Sequence, residues 1–151
     1  MEAQRLMTMD DQLARSHDER VELIDGDIVQ RPMGRFEHGR AQTALIGQSF
    51  PLVVRKRPGG WWIVPEISVR DGEHHCPSHD LAGWRKERLP ERPAGIMTVL
   101  PDWVCEILSP GHERKDTITH FLSVQYAGAP HYWIVDPDGR AQIAYALDDG
   151  L

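Results

Sequence analysis

The chain has 151 residues, 40% of them apolar and 26% charged, with five tryptophans, which fits one globular domain and excludes a disordered chain. Its formal net charge of −6 argues against a protein that coats nucleic acid non-specifically, because such binding is dominated by cationic contacts to phosphate. No apolar run approaches the roughly 20 residues of a membrane span, and the polar, acidic N-terminus lacks a signal peptide's apolar core, so cytoplasm is the expected location.

From the N-terminus, Met9 to Ser16 reads as a short helix, with Thr8 as N-cap and Leu13 as its apolar contact. Val21 to Val29 reads as two strands joined at Asp25-Gly26, a strong hairpin signal. Glu22 shares a face with Ile24 there, a carboxylate beside apolar residues. Glu37 to Ser49 spaces Ala41, Ala44, Leu45 and Gln48 as a helix, with His38 in its first turn. Pro51 is expected to stop it, leaving Leu52-Val53-Val54 as a short strand before Pro58-Gly59-Gly60 turns the chain.

Trp61 to Arg70 alternates as a strand, and Pro65 within it implies an edge or a bulge, since proline cannot donate to a ladder. His74-His75-Cys76-Pro77-Ser78-His79-Asp80 is the densest group of metal-ligating residue types. A zinc site at His74, His75, Cys76 and His79 is one reading of it, but no second Cys/His pair has zinc spacing, so structural zinc is not expected. The only two cysteines, Cys76 and Cys105, are too few and too differently placed for a disulfide framework. Asp80 to Trp84 reads as a short strand. Arg55-Lys56-Arg57, and Arg85-Lys86 with Arg88 and Arg92, are basic runs in an acidic background. Such runs usually form a solvated face, and a patch facing an active cleft is the alternative.

Pro101 to Pro110 is an apolar strand with one carboxylate inside. With period two, Glu106 lies beside Val104 and Leu108 while Trp103, Cys105 and Ile107 fill the other face, so this is a central strand. A buried glutamate needs a compensating cation, metal or donor; the alternative is a solvated or salt-bridged strand end. Glu113 to Ala127 is the best helix candidate, with Ile118, Phe121, Leu122 and Gln125 as its stripe and Gly128 as its stop. His131 to Pro137 is a second buried strand, and Asp138-Gly139 turns it toward a partner from Gln142 to Leu147. Strand, helix, strand across Trp103 to Val135 is a βαβ crossover, which favours parallel pairing. The expected class is α/β or α+β with a mixed sheet. Residues 1–151 are expected to form a single domain, which, ending right after a strand, is expected to lack a last hairpin or helix.

Glu22-Leu23-Ile24-Asp25-Gly26, His38 opening a helix, Asp80-Leu81-Ala82-Gly83-Trp84, Pro101 through Pro110, and Gly128 followed by Tyr132 through Pro137 together resemble the Uma-type restriction endonuclease family of the PD-(D/E)xK nuclease superfamily. The resemblance covers nearly the whole chain. It implies a restriction-endonuclease-like fold, a mixed central sheet flanked by helices, and a carboxylate site that binds magnesium or manganese and hydrolyses phosphodiesters in nucleic acid, with DNA the expected substrate. Carried over by residue, Asp80 and Glu106 would be the metal-binding acids, the backbone carbonyl of Ile107 a further ligand, and Glu22 an acid at the cleft. Hard divalent ions take such oxygen ligands.

The chain departs from the family pattern twice. His79 stands where a proline usually precedes the central aspartate, and Leu108 stands where the lysine after the glutamate is expected. The family often supplies that lysine from the following helix, where its place falls on His120. Histidine, with a reference pKa of about 6.5 against about 10.4 for lysine, is a poorer fixed charge but a competent base. Asp116 lies one turn earlier, and Lys115 would substitute only if the helix starts later. The competing reading is a catalytically degraded interaction module on the same fold. Nucleases of that superfamily often dimerise, which makes a homodimer the expected assembly.

Overall fold

The computed structural model describes residues 3–15, 20–31, 34–108 and 128–146. Thr8 caps α1 (Met9–Leu13) through a capping box with Asp11. Leu13 is not its apolar contact. That side chain is 60% exposed, and Met9 is buried instead, because the first turn, not the last, lies on the hairpin. Met7 N and Met9 N donate to the carbonyls of Gly26 and Glu73, so Met9 closes a small core with Leu23 and Cys76.

The hairpin forms as expected. β1 (Val21–Ile24) and β2 (Asp27–Gln30) pair antiparallel about Asp25 at φ +48° and Gly26 at φ +84°. Two positive φ angles are what a two-residue turn matched to strand twist needs. Leu23 and Cys76 exchange both backbone hydrogen bonds, and Gly26 N donates to the His74 carbonyl. The 74–76 segment is thereby tied alongside β1.

α2 (Phe36–Val53) runs through Pro51, so the expected stop and short strand do not form. Proline removes one intrahelical bond, but it stands in the last turn, where Val54 N still reaches the Phe50 carbonyl and Lys86 Nζ caps the carbonyls of Val53 and Arg55 at 2.8 and 2.9 Å. A cation on the final carbonyls suits a helix C-terminus.

The main sheet has the order β3-β4-β5-β6-β7, from β3 (Trp61–Ser68), β4 (Ser78–Arg85), β5 (Trp103–Ile107), β6 (His131–Asp136) and β7 (Ala141–Ala146). β5 and β6 are parallel and the other neighbours antiparallel, the mixed sheet that the crossover implied. β3 is an edge strand, one of the two outcomes, edge or bulge, that Pro65 implied. β4 starts at Ser78, earlier than its alternation indicated, and is buried on both faces up to Trp84. Gly83 is needed in it. A Cβ there would lie 3.2–3.3 Å from Trp61, Ile63 and Trp103, so its absence lets these side chains close over the strand.

Val69, Ala82, Trp84 and Met97 form one core cluster, and Val104, Ala129 and Tyr132 another. The candidate helix 113–127 lies outside the described residues, while Gly128 takes φ +91°, the left-handed conformation expected of a helix stop. Among the described residues no helix is long and apolar enough to cross a membrane.

Two predictions follow from this packing. Leu23→Ala should lower unfolding free energy by about 2–5 kcal/mol in urea titrations, whereas Ile143→Ala on exposed β7 should stay within about 0.5 kcal/mol; equal losses would mean the hairpin is not part of the core. Burial pushes the Cys76 thiol up to about 11 and raises that of Cys105 as well. Ellman's reagent should therefore find no reactive thiol in the native protein and two in guanidinium.

Candidate active site

The β4–β5 ladder pairs Gly83 with Trp103, Ala82 with Val104 and Leu81 with Cys105, and there it stops. The next two positions are Asp80 and Glu106, and their side chains replace the backbone bonds. Asp80 Oδ2 accepts from Ile107 N at 2.7 Å, and Glu106 Oε2 accepts from Asp80 N at 3.4 Å. Each carboxylate satisfies an amide of the other strand. Across β4, the pairs Pro65–Leu81 and Ile67–His79 bracket Glu66 opposite Asp80. Glu66, Asp80 and Glu106 thus form a row over three neighbouring strands, with Asp80 5% and Glu106 6% exposed. Glu66 holds φ +49°, a conformation L residues seldom adopt.

Three side chains from outside the sheet converge on this row. Arg31, just after β2, donates to Asp80 Oδ1 at 2.9 Å, Glu66 Oε2 at 2.7 Å and Ser78 Oγ at 2.8 Å. From the first turns of α2, His38 Nε2 lies 3.0 Å from Asp80 Oδ1, and Gln42 Nε2 bridges Glu66 Oε1 and the Asp80 carbonyl at 3.0 and 2.8 Å. The charges answer one another. Burial, then the neighbouring Glu106, raises the Asp80 pKa, while His38 and the Ile107 amide oppose the rise. The hydrogen bond to Asp80 raises the pKa of His38. Burial works against the Arg31 charge, but Glu66, Asp80, Glu22 and Glu106 outweigh it and raise its pKa.

The other sequence candidates take separate places. Glu22 is buried on β1 and its Oε1 accepts from Ser78 N at 2.8 Å, one strand position from the row's neighbour His79. His79 Nδ1 lies 2.6 Å from Glu106 Oε1. The residues of the zinc reading are dispersed: His74 Nδ1 contacts the Met7 carbonyl, His75 contacts Asp25, and Cys76 is sealed in the α1–hairpin core. Their backbone pairing with the hairpin separates them. Leu108 N continues the bonding to β6 through the Val135 carbonyl. Lys115, Asp116 and His120 lie outside the described residues.

Sequence reasoning missed Glu66, Arg31 and Gln42. Glu66 carried one legible signal, an acid immediately after the proline of an edge strand. Arg31 and Gln42 carried none, since their roles depend on where the hairpin and α2 dock.

Among the described residues, His38, Glu66 and Asp80 can each offer a ligand atom, all within 4.8 Å of one another. Two carboxylates and an imidazole are a donor set for a divalent cation. Four carboxylates here face Arg20, Arg31, His38 and His79, so a bound ion would take over part of this compensation.

A crystal structure described as a putative nuclease belonging to DUF820, from Anabaena variabilis ATCC 29413, is similar to this chain at 26% identity with a TM-score of 0.80. The match covers 93% of this chain and 79% of that one. No curated protein matches. The Uma2 family profile, described as "Putative restriction endonuclease", matches residues 7–151, and the mixed α+β sheet has the restriction-endonuclease-like fold. The chain therefore belongs to the Uma2 family.

Proposed function

We propose that the protein is a metal-dependent nuclease that hydrolyses phosphodiester bonds in nucleic acid, DNA foremost, at the row formed by Asp80 and Glu106. The observation that carries this reading is the convergence of two buried acids at the point where strand pairing ends. Asp80 and Glu106 would hold magnesium or manganese, with the Ile107 carbonyl as a further oxygen and Glu66 and His38 beside them. Such an ion supplies an activated water and neutralises charge developing on the phosphate.

The protein's own residues then have distinct tasks. Arg31 and Gln42 fix Asp80 and Glu66 relative to each other. Glu22 holds the start of β4 through the Ser78 amide. His120, or Lys115, stands for the family's lysine in the segment after β5. Dimerisation of this acidic subunit would join its local basic loops into a groove.

A second reading is favoured by two contacts. Arg31 and His38 already compensate Asp80 Oδ1, as they would in a metal-free interaction module. Calorimetry with manganese and a plasmid-nicking assay separate the two. Asp80→Asn and Glu106→Gln keep an acceptor oxygen for the strand amides, so both should fold. Each should lose manganese binding and lower magnesium-dependent cleavage at least about a hundredfold, the scale of losing one transition-state-stabilising group. EDTA should abolish cleavage in the wild type. Undiminished cleavage in both variants would remove the nuclease assignment, and absence of Glu106-dependent metal binding would favour the module.

A further inference from the structure

The basic run Arg55-Lys56-Arg57 has no part in the acidic site, yet its position is specific. These exposed residues lie in the loop between Leu52 and Trp61, which are both walls of one pocket. That cavity, of about 450 Å³, lies between α2 and the sheet, and its walls include Trp61, Trp103 and Trp133, with Gln48 and His131 as polar neighbours. The volume falls in the range of roughly 300–1,000 Å³ usual for small-ligand sites. Trp103 and Trp133 meet edge to face, ring centroids 5.4 Å apart, and Gly83 leaves room for Trp61 and Trp103 over the strand. Lys86 anchors the loop through the carbonyls of Val53 and Arg55. Among the described residues no acid lines the cavity.

We propose that this pocket is a nucleobase site, in which an unpaired base stacks among the three tryptophans while its flanking phosphates lie on Arg55, Lys56 and Arg57. Aromatic walls beside cations are the physical pattern for single strands, since every base has a stacking face and every linkage a charge. The pocket also lies within reach of the acidic row. α2 contributes His38 to the row and Leu45 to the pocket wall, two positions about 10 Å apart at helical rise. The proposal rests on the nucleic-acid reading above and narrows its substrate to single-stranded or locally unpaired chains.

The test is a tryptophan-fluorescence titration of the full chain in EDTA, where no cleavage intervenes, with a single-stranded DNA 12-mer, the same RNA sequence, and the DNA duplex. A single strand should quench the tryptophans and bind about tenfold or more tighter than the duplex, and the stronger of DNA and RNA identifies the source of the base. Trp133→Leu should weaken binding by about tenfold or more. Replacing Arg55, Lys56 and Arg57 together by glutamine, at exposed positions that leave the core intact, should weaken it and flatten its salt dependence. Ile143→Ala, at an exposed β7 position outside both sites, should bind like the wild type. Absence of quenching, duplex preference, or full binding by the triple variant would overturn the proposal, and cleavage by a wild type that shows no quenching would overturn it alone. Variants that change the sedimentation coefficient instead of oligonucleotide binding would assign the pocket to a second copy, and so overturn it as well.

Discussion

A carboxylate withdrawn from water between two strands has to find donors, or its burial costs several kcal/mol. At Asp80 and Glu106 the donors are two backbone amides, Ile107 N and Asp80 N, together with Arg31, His38 and His79. Much of the architecture outside the sheet serves that requirement. The hairpin brings Arg31 to Asp80, α2 brings His38 and Gln42, and the 74–76 segment pins the hairpin to the start of β4. A peripheral two-stranded element thus has a central electrostatic task.

The features legible from sequence were those set by neighbours in the chain. Asp25-Gly26 specified its turn, the apolar run around Val104 and Cys105 specified a central strand, and the span from Trp103 to Val135 specified a parallel crossover. Glu106 was visible because a charge inside an apolar run is anomalous by itself. What escaped was set by tertiary docking. α2 passes Pro51 because Lys86, far along the chain, caps its end. Leu13 faces outward because the first turn of α1 meets the hairpin. Glu66 joins the row only through the β3–β4 register, and Arg31 only through the position of the hairpin. The histidine-rich segment resembled a metal site in sequence, yet its members turn to different partners once their backbone is paired.

α2 connects two chemically unlike regions. Its first turns present His38 and Gln42 to carboxylates, and its last turns present Leu45 and Leu52 to tryptophans. No residue of this helix is fully buried, so its weakly amphipathic sequence reflects the lining of open concave surfaces, not a dry core. The acidic net charge is likewise unevenly spread, with acids gathered at one end of the sheet and cations in the loop at the other.

The bonds that end the β4–β5 ladder bear on how such a chain would change over time. Asp80 and Glu106 complete the pairing of two strands with side-chain oxygens, so a lineage that abandoned hydrolysis would still need acceptors at those positions for the sheet to close. Folding alone would retain them, and asparagine or glutamine, which preserve an oxygen at the same reach, would be the first replacements tolerated. An acceptor oxygen persisting at the end of this sheet therefore records strand closure, and only the ionisable acid asks for a further reason.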